Sequence, residues 1–235
     1  MKLTFKPSPN YRSSQTTTGI MMDLTVCLLA VTVFSVIYYG VNYGASYGLR
    51  VVIMMASAVI TSLIVDAIWA KIQKVDIKDG ILSSYSWITA MILTLIIQID
   101  VSPYALCVAT VIAIVFGKLV FGGFGQNIFN PAAFGEAIIM NNFAATYAED
   151  LYTGATPTTA IKAFGWLADS GKLNSLVAGY GGYGRMLIGG YISTIGSTCA
   201  LLLILCCVFL IWRRDIDWQA PVFYIGTVFV ETAVI

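Results

Sequence analysis

Leu24-Thr-Val-Cys-Leu-Leu-Ala-Val-Thr-Val-Phe-Ser-Val-Ile-Tyr-Tyr-Gly-Val-Asn-Tyr43 carries no Asp, Glu, Lys or Arg. A helix crossing the ~30 Å hydrocarbon core of a bilayer needs about 20 such residues, and this stretch supplies them. Working outward, apolar runs of comparable length cover 51 to 70, 81 to 99, 104 to 121 and 186 to 212, and shorter ones cover 132 to 145 and 220 to 235. Residues 1 to 20 are polar and lack the layout of a cleaved signal peptide, so the first run reads as an anchor. The composition agrees. Of 235 residues, 58% are hydrophobic and 11% charged, against roughly 25% charged in soluble domains. A net charge of +1 gives no basic excess for nucleic acid. With no histidine, this chain alone builds no bis-histidine haem site, histidine zinc site or histidine proton relay. Cys27, Cys107, Cys199, Cys206 and Cys207 lie in apolar runs without metal-ligand spacing and read as packing residues.

The fold class is therefore all-α and polytopic, with about seven membrane spans. Orientation follows from the bias of Lys and Arg toward the cytoplasm. Lys2, Lys6, Arg12, Lys71, Lys74, Lys78, Lys118, Arg213 and Arg214 fall on one side of the spans, and Arg50, Lys162, Lys172 and Arg185 on the other. Placing the richer side inside makes 1–20 a cytoplasmic N-terminal segment and 146–185 extracytoplasmic, provided that 132 to 145 crosses. Residues 21–145 then hold five spans, and 186–235 open a second set.

Two strings stand out. In Asp150-Leu-Tyr-Thr-Gly-Ala-Thr156 the small Gly154 and Ala155 leave the Thr156 hydroxyl open, and Pro157 biases it toward an extended conformation that an enzyme can grip. In Phe121-Gly-Gly-Phe-Gly-Gln-Asn-Ile-Phe-Asn-Pro-Ala-Ala-Phe-Gly135 the glycines end one helix, and Asn130-Pro131 read as N-cap and first position of the next. That gives a broken or re-entrant helix at 122–131, whose partly positive N-terminus suits an anionic or carbonyl-bearing ligand. A tight surface connection is the plainer alternative.

The first string resembles the D-x-x-[ST]-G-A-T signature at which a flavin transferase esterifies FMN, through its phosphate, to the final threonine. At average residue frequencies such a match arises by chance about once per million positions, and a small polar turn is the plainer alternative. Together the strings resemble the RnfD membrane subunit of the Rnf complex and the homologous NqrB subunit of the sodium-pumping NADH:quinone reductase. Asp79-Gly80, the stretch Gly189 to Leu201 and Arg213-Arg214 through Trp218 fall in the same order, and the short N-terminal segment is closer to the Rnf subunit. The resemblance implies an inverted repeat of about five helices each, similar to urea transporters, of which this chain holds the first repeat and the start of the second. It further implies a multi-pass subunit in the bacterial cytoplasmic membrane, in a complex passing electrons between ferredoxin and NAD while pumping sodium ions or protons. The implied cofactor is FMN on Thr156, with Asp150, Thr153, Gly154 and Ala155 around it, Asn130 as a further flavin contact and riboflavin as a second candidate. Implied partners are the other subunits, lipid and the flavin transferase. A channel for a small neutral solute and a purely structural assembly subunit are the other readings.

Single residues sharpen this. An ionisable side chain at membrane depth costs at least ~2.5 kcal/mol, so it normally faces a partner or a water path. Asp66 near the inner end of the second span and Glu136 at the start of the fifth are candidate ion-path residues; for Asp66 the alternative is an interface anchor beside Lys71. Glu231, within the last run, is a candidate ion ligand on the same ground. Asp23 and Asp100, at span ends, are expected to be solvated. The span 186 to 212 carries two small-residue rows at four-residue spacing, Gly189, Ser193 and Ser197 beside Gly190, Thr194 and Thr198. Those rows suit close helix packing, or hydroxyl contacts to a flavin or quinone from Ser193, Thr194 and Thr198.

Overall fold

A computed structural model describes residues 15–143, 170–189 and 193–234, and among them the chain is helical, with no strand. In order the helices are α1 (Thr17–Asn42), α2 (Ala45–Gln73), α3 (Ile77–Ser84), α4 (Ser86–Ile96), α5 (Pro103–Ile114), α6 (Pro131–Asn142), α7 (Ser170–Gly179), α8 (Tyr183–Ile188), α9 (Ala200–Trp212) and α10 (Gln219–Val234). A π-helical turn, Val115–Leu119, continues α5.

Helix α1 starts where extended Thr16 accepts a hydrogen bond from the Gly19 N–H at 3.2 Å. Helices α1 and α2 have 26 and 29 residues. At helical rise they measure about 39 and 44 Å, enough to cross a bilayer. Each has two apolar faces. Val26, Leu29, Val33 and Ile37 of α1 and Ile60, Ile64 and Ile68 of α2 are exposed, whereas Val31, Tyr39, Val51, Met54 and Ala58 are buried. An apolar face turned outward over two long helices is what a lipid-facing surface requires. Between these helices a Cβ on Gly48 would stand 2.9 Å from the Val36 carbonyl oxygen and 3.2 Å from the Gly40 Cα, so small residues set their approach.

The remaining apolar runs depart from uninterrupted spans. The run from 81 to 99 is the pair α3 and α4, bent by 46°. Tyr85 at the bend is left-handed (φ 52°), a conformation costing a non-glycine residue about 1–2 kcal/mol. Its ring offsets that cost, standing edge-on to Trp87 and Phe124 at 5.4 and 5.1 Å while its hydroxyl lies 2.9 Å from Thr18 Oγ1. The run from 104 to 121 starts at Ser102, which caps α5 through the Ala105 N–H at 3.3 Å, and ends in the π turn. Gly122, Gly123 and Gly125 then adopt positive φ. Asn130 Oδ1 accepts from the Ala132 N–H at 3.1 Å with Pro131 in the first turn of α6, so the break read at 122–131 is present. Helix α6 has 12 residues, about 18 Å.

The largest departure lies in 186 to 212, expected as one helix. Helix α8 ends at Ile188 on left-handed Gly189 (φ 116°), residues 193–199 are non-helical, and helix resumes at Ala200. The physical reason is a long-range pairing. The N–H groups of Ile195 and Gly196 donate to the carbonyls of Ile97 and Leu95 at 3.0 and 2.7 Å, where α4 has just ended. From α1, Ser35 Oγ donates to the Ile195 carbonyl at 2.6 Å and the Tyr39 hydroxyl to that of Ser193 at 3.1 Å. Ile195 is fully buried. Ser193, Thr194, Ser197 and Thr198 therefore form no helical rows; Ser197 Oγ lies 2.7 Å from both Ser193 Oγ and Thr194 Oγ1.

The span ends differ from expectation too. Asp23 is 17% exposed and its Oδ2 accepts from Arg213 Nε at 2.9 Å, tying the end of α9 to the start of α1. Asp100 is buried at 4% exposure, and its carbonyl accepts from Arg50 Nη2 at 3.2 Å. Both are packed at chain crossings rather than solvated.

Two outcomes follow from this packing. A Cβ at Gly196 would lie 2.7 Å from Leu95 Cβ, so Gly196→Ala lowers stability by roughly 1–3 kcal/mol, whereas Gly226→Ala, with nothing within 4 Å, does not; thermal unfolding in detergent compares them. Ser35→Ala, which strips the Ile195 carbonyl of its side-chain donor, costs about 0.6–1.7 kcal/mol in the same assay.

Candidate functional site

Three local irregularities converge on one buried cluster. Asp66 projects from α2 toward the bend between α3 and α4, where Ser84 and Ser86 flank left-handed Tyr85; Lys118 reaches the same point from the π turn of α5. Asp66 and Lys118 are each 3% exposed, and Ser86 is fully buried. Ser84 Oγ and Ser86 Oγ donate to Asp66 Oδ1 at 3.0 and 2.9 Å and lie 2.7 Å from each other. The Lys118 ammonium donates to the Ser84 carbonyl and, at 3.2 Å, to Ser86 Oγ. Carboxylate and ammonium are thus joined through serine oxygens, which is how a low-dielectric interior keeps two charges. Among the described residues Asp66 Oδ2 is buried without a hydrogen-bond partner.

A cavity adjoins each end of the cluster. Asp66 and Ser84 line one of about 360 Å³, whose rim is formed by exposed Gln73, Val75 and Phe124. Lys118 lines another of about 180 Å³ with Tyr85, Phe124, Asn127 and Asn130, and its ammonium stands 5.8 Å from the Phe124 ring centre. This arrangement can hold a cation among oxygen ligands. The sequence placed Lys118 among the cytoplasmic charges and missed it as a site residue; its signal was a lysine inside an apolar run. The hydrogen bonds of Asp66 go to Ser84 and Ser86, while Lys71, the neighbour in its alternative reading, is exposed.

The other candidates fall in different places. Glu136 is half-buried on α6 and lines neither cavity. Glu231 is exposed on α10. Asn130 is the cap of α6 and lines the smaller cavity. Ser193 and Thr194 are half-buried and Thr198 is buried, all in the non-helical segment. Asp150, Thr153, Gly154, Ala155 and Thr156 lie outside the described residues. Toward the C-terminal end of α1 and beside α8, Phe34, Tyr38, Tyr43 and Arg185 line a cavity of about 540 Å³.

A sequence model of the NQR2, RnfD, RnfE family matches residues 4–235. The chain is 32% identical over 240 residues to the D subunit of the proton-translocating ferredoxin:NAD(+) oxidoreductase complex of Clostridium ljungdahlii, covering 97% of this chain and 68% of that protein. It is 28% identical to the D subunit of the Na(+)-translocating ferredoxin:NAD(+) oxidoreductase complex of Acetobacterium woodii, with the same coverage. To the D subunit of the ion-translocating oxidoreductase complex of Actinobacillus succinogenes it is 25% identical, over 92% of this chain and 68% of the other. With the family pattern running through nearly all its residues, and with lipid-facing helices around a buried polar cluster, this chain belongs to the NQR2, RnfD, RnfE family.

Proposed function

We propose that this protein is the electron-carrying membrane subunit, of the RnfD type, in an ion-translocating ferredoxin:NAD+ oxidoreductase complex. The observation that carries the reading is Asp150-Leu-Tyr-Thr-Gly-Ala-Thr156 within a chain of this family. FMN is joined through its phosphate to the Thr156 hydroxyl, and when bound it supplies one- and two-electron transfer. The protein's share is to fix it, orient it and tune its charge. Phe34, Tyr38 and Tyr43 offer flat faces beside the Arg185 guanidinium in a cavity of flavin size, which supports seating the ring system there. Riboflavin is the second flavin of the reading, with Asn130, Ser193, Thr194 and Thr198 as its candidate contacts.

Residues 1–235 cross the cytoplasmic membrane about seven times, as one repeat and the start of another, with residues 1–20 inside and 146–185 outside. Discounting buried Lys118, the Lys and Arg balance still favours that orientation, eight to four. Asp66 and Glu136 line the ion path. Asp66 has the stronger support, since it is buried, linked to a cation and bordered by a cavity with an exposed rim.

Denatured protein from a host with the flavin transferase fluoresces as a flavin on a gel and weighs more than the bare polypeptide by one FMN less water. Thr156→Ala loses both signals; flavin retained on that variant would move the attachment elsewhere. In reconstituted complex, Asp66→Asn lowers ion uptake by about tenfold or more at unchanged subunit content, read as sodium-22 uptake and as proton uptake, and unaltered uptake removes Asp66 from the path.

A further inference from the structure

We propose that Asp66, Ser84 and Ser86 form a binding site for one monovalent metal cation, and that the Lys118 ammonium is a tethered cation holding that site when the metal ion is absent. The proposal rests on the ion-path reading of Asp66 and names what competes with the ion there.

The ligand set comes first. The Ser84 carbonyl, the Ser84 and Ser86 hydroxyls and the Asp66 carboxylate converge within hydrogen-bonding distance of one another or of the ammonium. These are hard oxygen donors, the kind that replace the water of a small hydrated cation. Carbonyl and hydroxyl oxygens already turned toward an ammonium need little rearrangement to face a metal ion instead. Charge then fixes the valence. With the ammonium withdrawn the cluster carries the single negative charge of Asp66, which one monovalent ion balances, whereas a divalent ion would leave an excess charge in an apolar interior.

An observation independent of Lys118 marks where the ion arrives. Asp66 is only 3% exposed, yet its Oδ2 has no hydrogen-bond partner among the described residues and the residue lines the cavity of about 360 Å³ rimmed by exposed Gln73 and Phe124. A buried carboxylate oxygen left bare beside a wettable space is an open ligand position.

The ammonium also has somewhere to go. Lys118 lines the second cavity, where the Phe124 ring lies 5.8 Å from its nitrogen and Asn127 and Asn130 supply amide oxygens. Both segments that must adjust are irregular: Lys118 rides on a π turn, and Ser84 and Ser86 flank a left-handed residue at a 46° bend. Metal ion and ammonium exchange one for one, so the net charge of the buried cluster stays constant.

The test uses purified complex in sodium chloride and in choline chloride at equal ionic strength. Acetylation of Lys118 by an amine-reactive reagent, quantified by mass spectrometry, rises several-fold with sodium because the released ammonium faces the cavity beside exposed Phe124 and Asn127. In Asp66→Asn it is high in both salts. Lys118→Met, which keeps the length and removes the competitor, tightens sodium-22 binding by about tenfold or more. Equal acetylation of wild type in the two salts overturns the exchange, as does an unchanged or weaker sodium affinity in Lys118→Met. If that variant does not assemble, wild-type acetylation alone decides. Ion uptake lost in Asp66→Asn with salt-independent acetylation of wild type overturns the exchange but spares the ion-path reading, and neither readout depends on flavin at Thr156.

Discussion

A backbone N–H or C=O inside hydrocarbon has no water to bond, and each one left unpaired costs several kcal/mol. The structure depends on how the chain meets that rule where its helices stop short. Helix α4 ends at Ile96, and its last carbonyls would face an apolar interior unpaired. They are met by Ile195 and Gly196, in a non-helical stretch far along the chain, while Ser35 and Tyr39 of α1 bond the carbonyls of that stretch. Two interrupted elements thus satisfy each other, and the long, regular α1 braces the seam. Glycine at 196 follows directly, because Leu95 occupies the space a side chain would need.

The same rule applied to charge explains the cluster at Asp66. Removing one partner of a buried pair typically costs about 3–5 kcal/mol, so a carboxylate and an ammonium at 3% exposure persist only with dense hydrogen bonding around them. Ser84 and Ser86 provide it for one carboxylate oxygen and for the ammonium, and leave the second oxygen without a donor. At the seam the carbonyls of Leu95, Ile97, Ser193 and Ile195 each have a donor, whereas Asp66 Oδ2 in the cluster has none. That contrast separates the part of the molecule that holds its shape from the part with bonding capacity to spare.

What was legible in the sequence tracks how local each cause is. Hydropathy located α1 and α2 because an unbroken apolar helix needs nothing beyond its own residues. Asn130 and Pro131 were readable because a cap and a first-turn proline act within one turn. The bend at Tyr85 was hidden, since a tyrosine held left-handed by Thr18, Trp87 and Phe124 leaves no mark in the neighbouring sequence. Residues 193–199 looked helical because hydropathy cannot see a partner at Leu95. Lys118 was counted as a surface charge for the same reason: its serine and aspartate partners lie on other helices. Family resemblance supplied the flavin signature, which no contact among the described residues would have revealed.

The seam between Leu95 and Gly196 also bears on how the protein is made. About 100 residues separate its two sides, and at roughly 5–20 residues per second the ribosome needs about 5–20 seconds to deliver the second after the first. During that interval the unfinished end of α4 has no partner from its own chain. The nascent chain therefore either keeps α4 at the headgroup boundary until Gly196 emerges, or relies on the insertion machinery to shelter it. Biogenesis of this protein is timed by the arrival of Ile195 and Gly196.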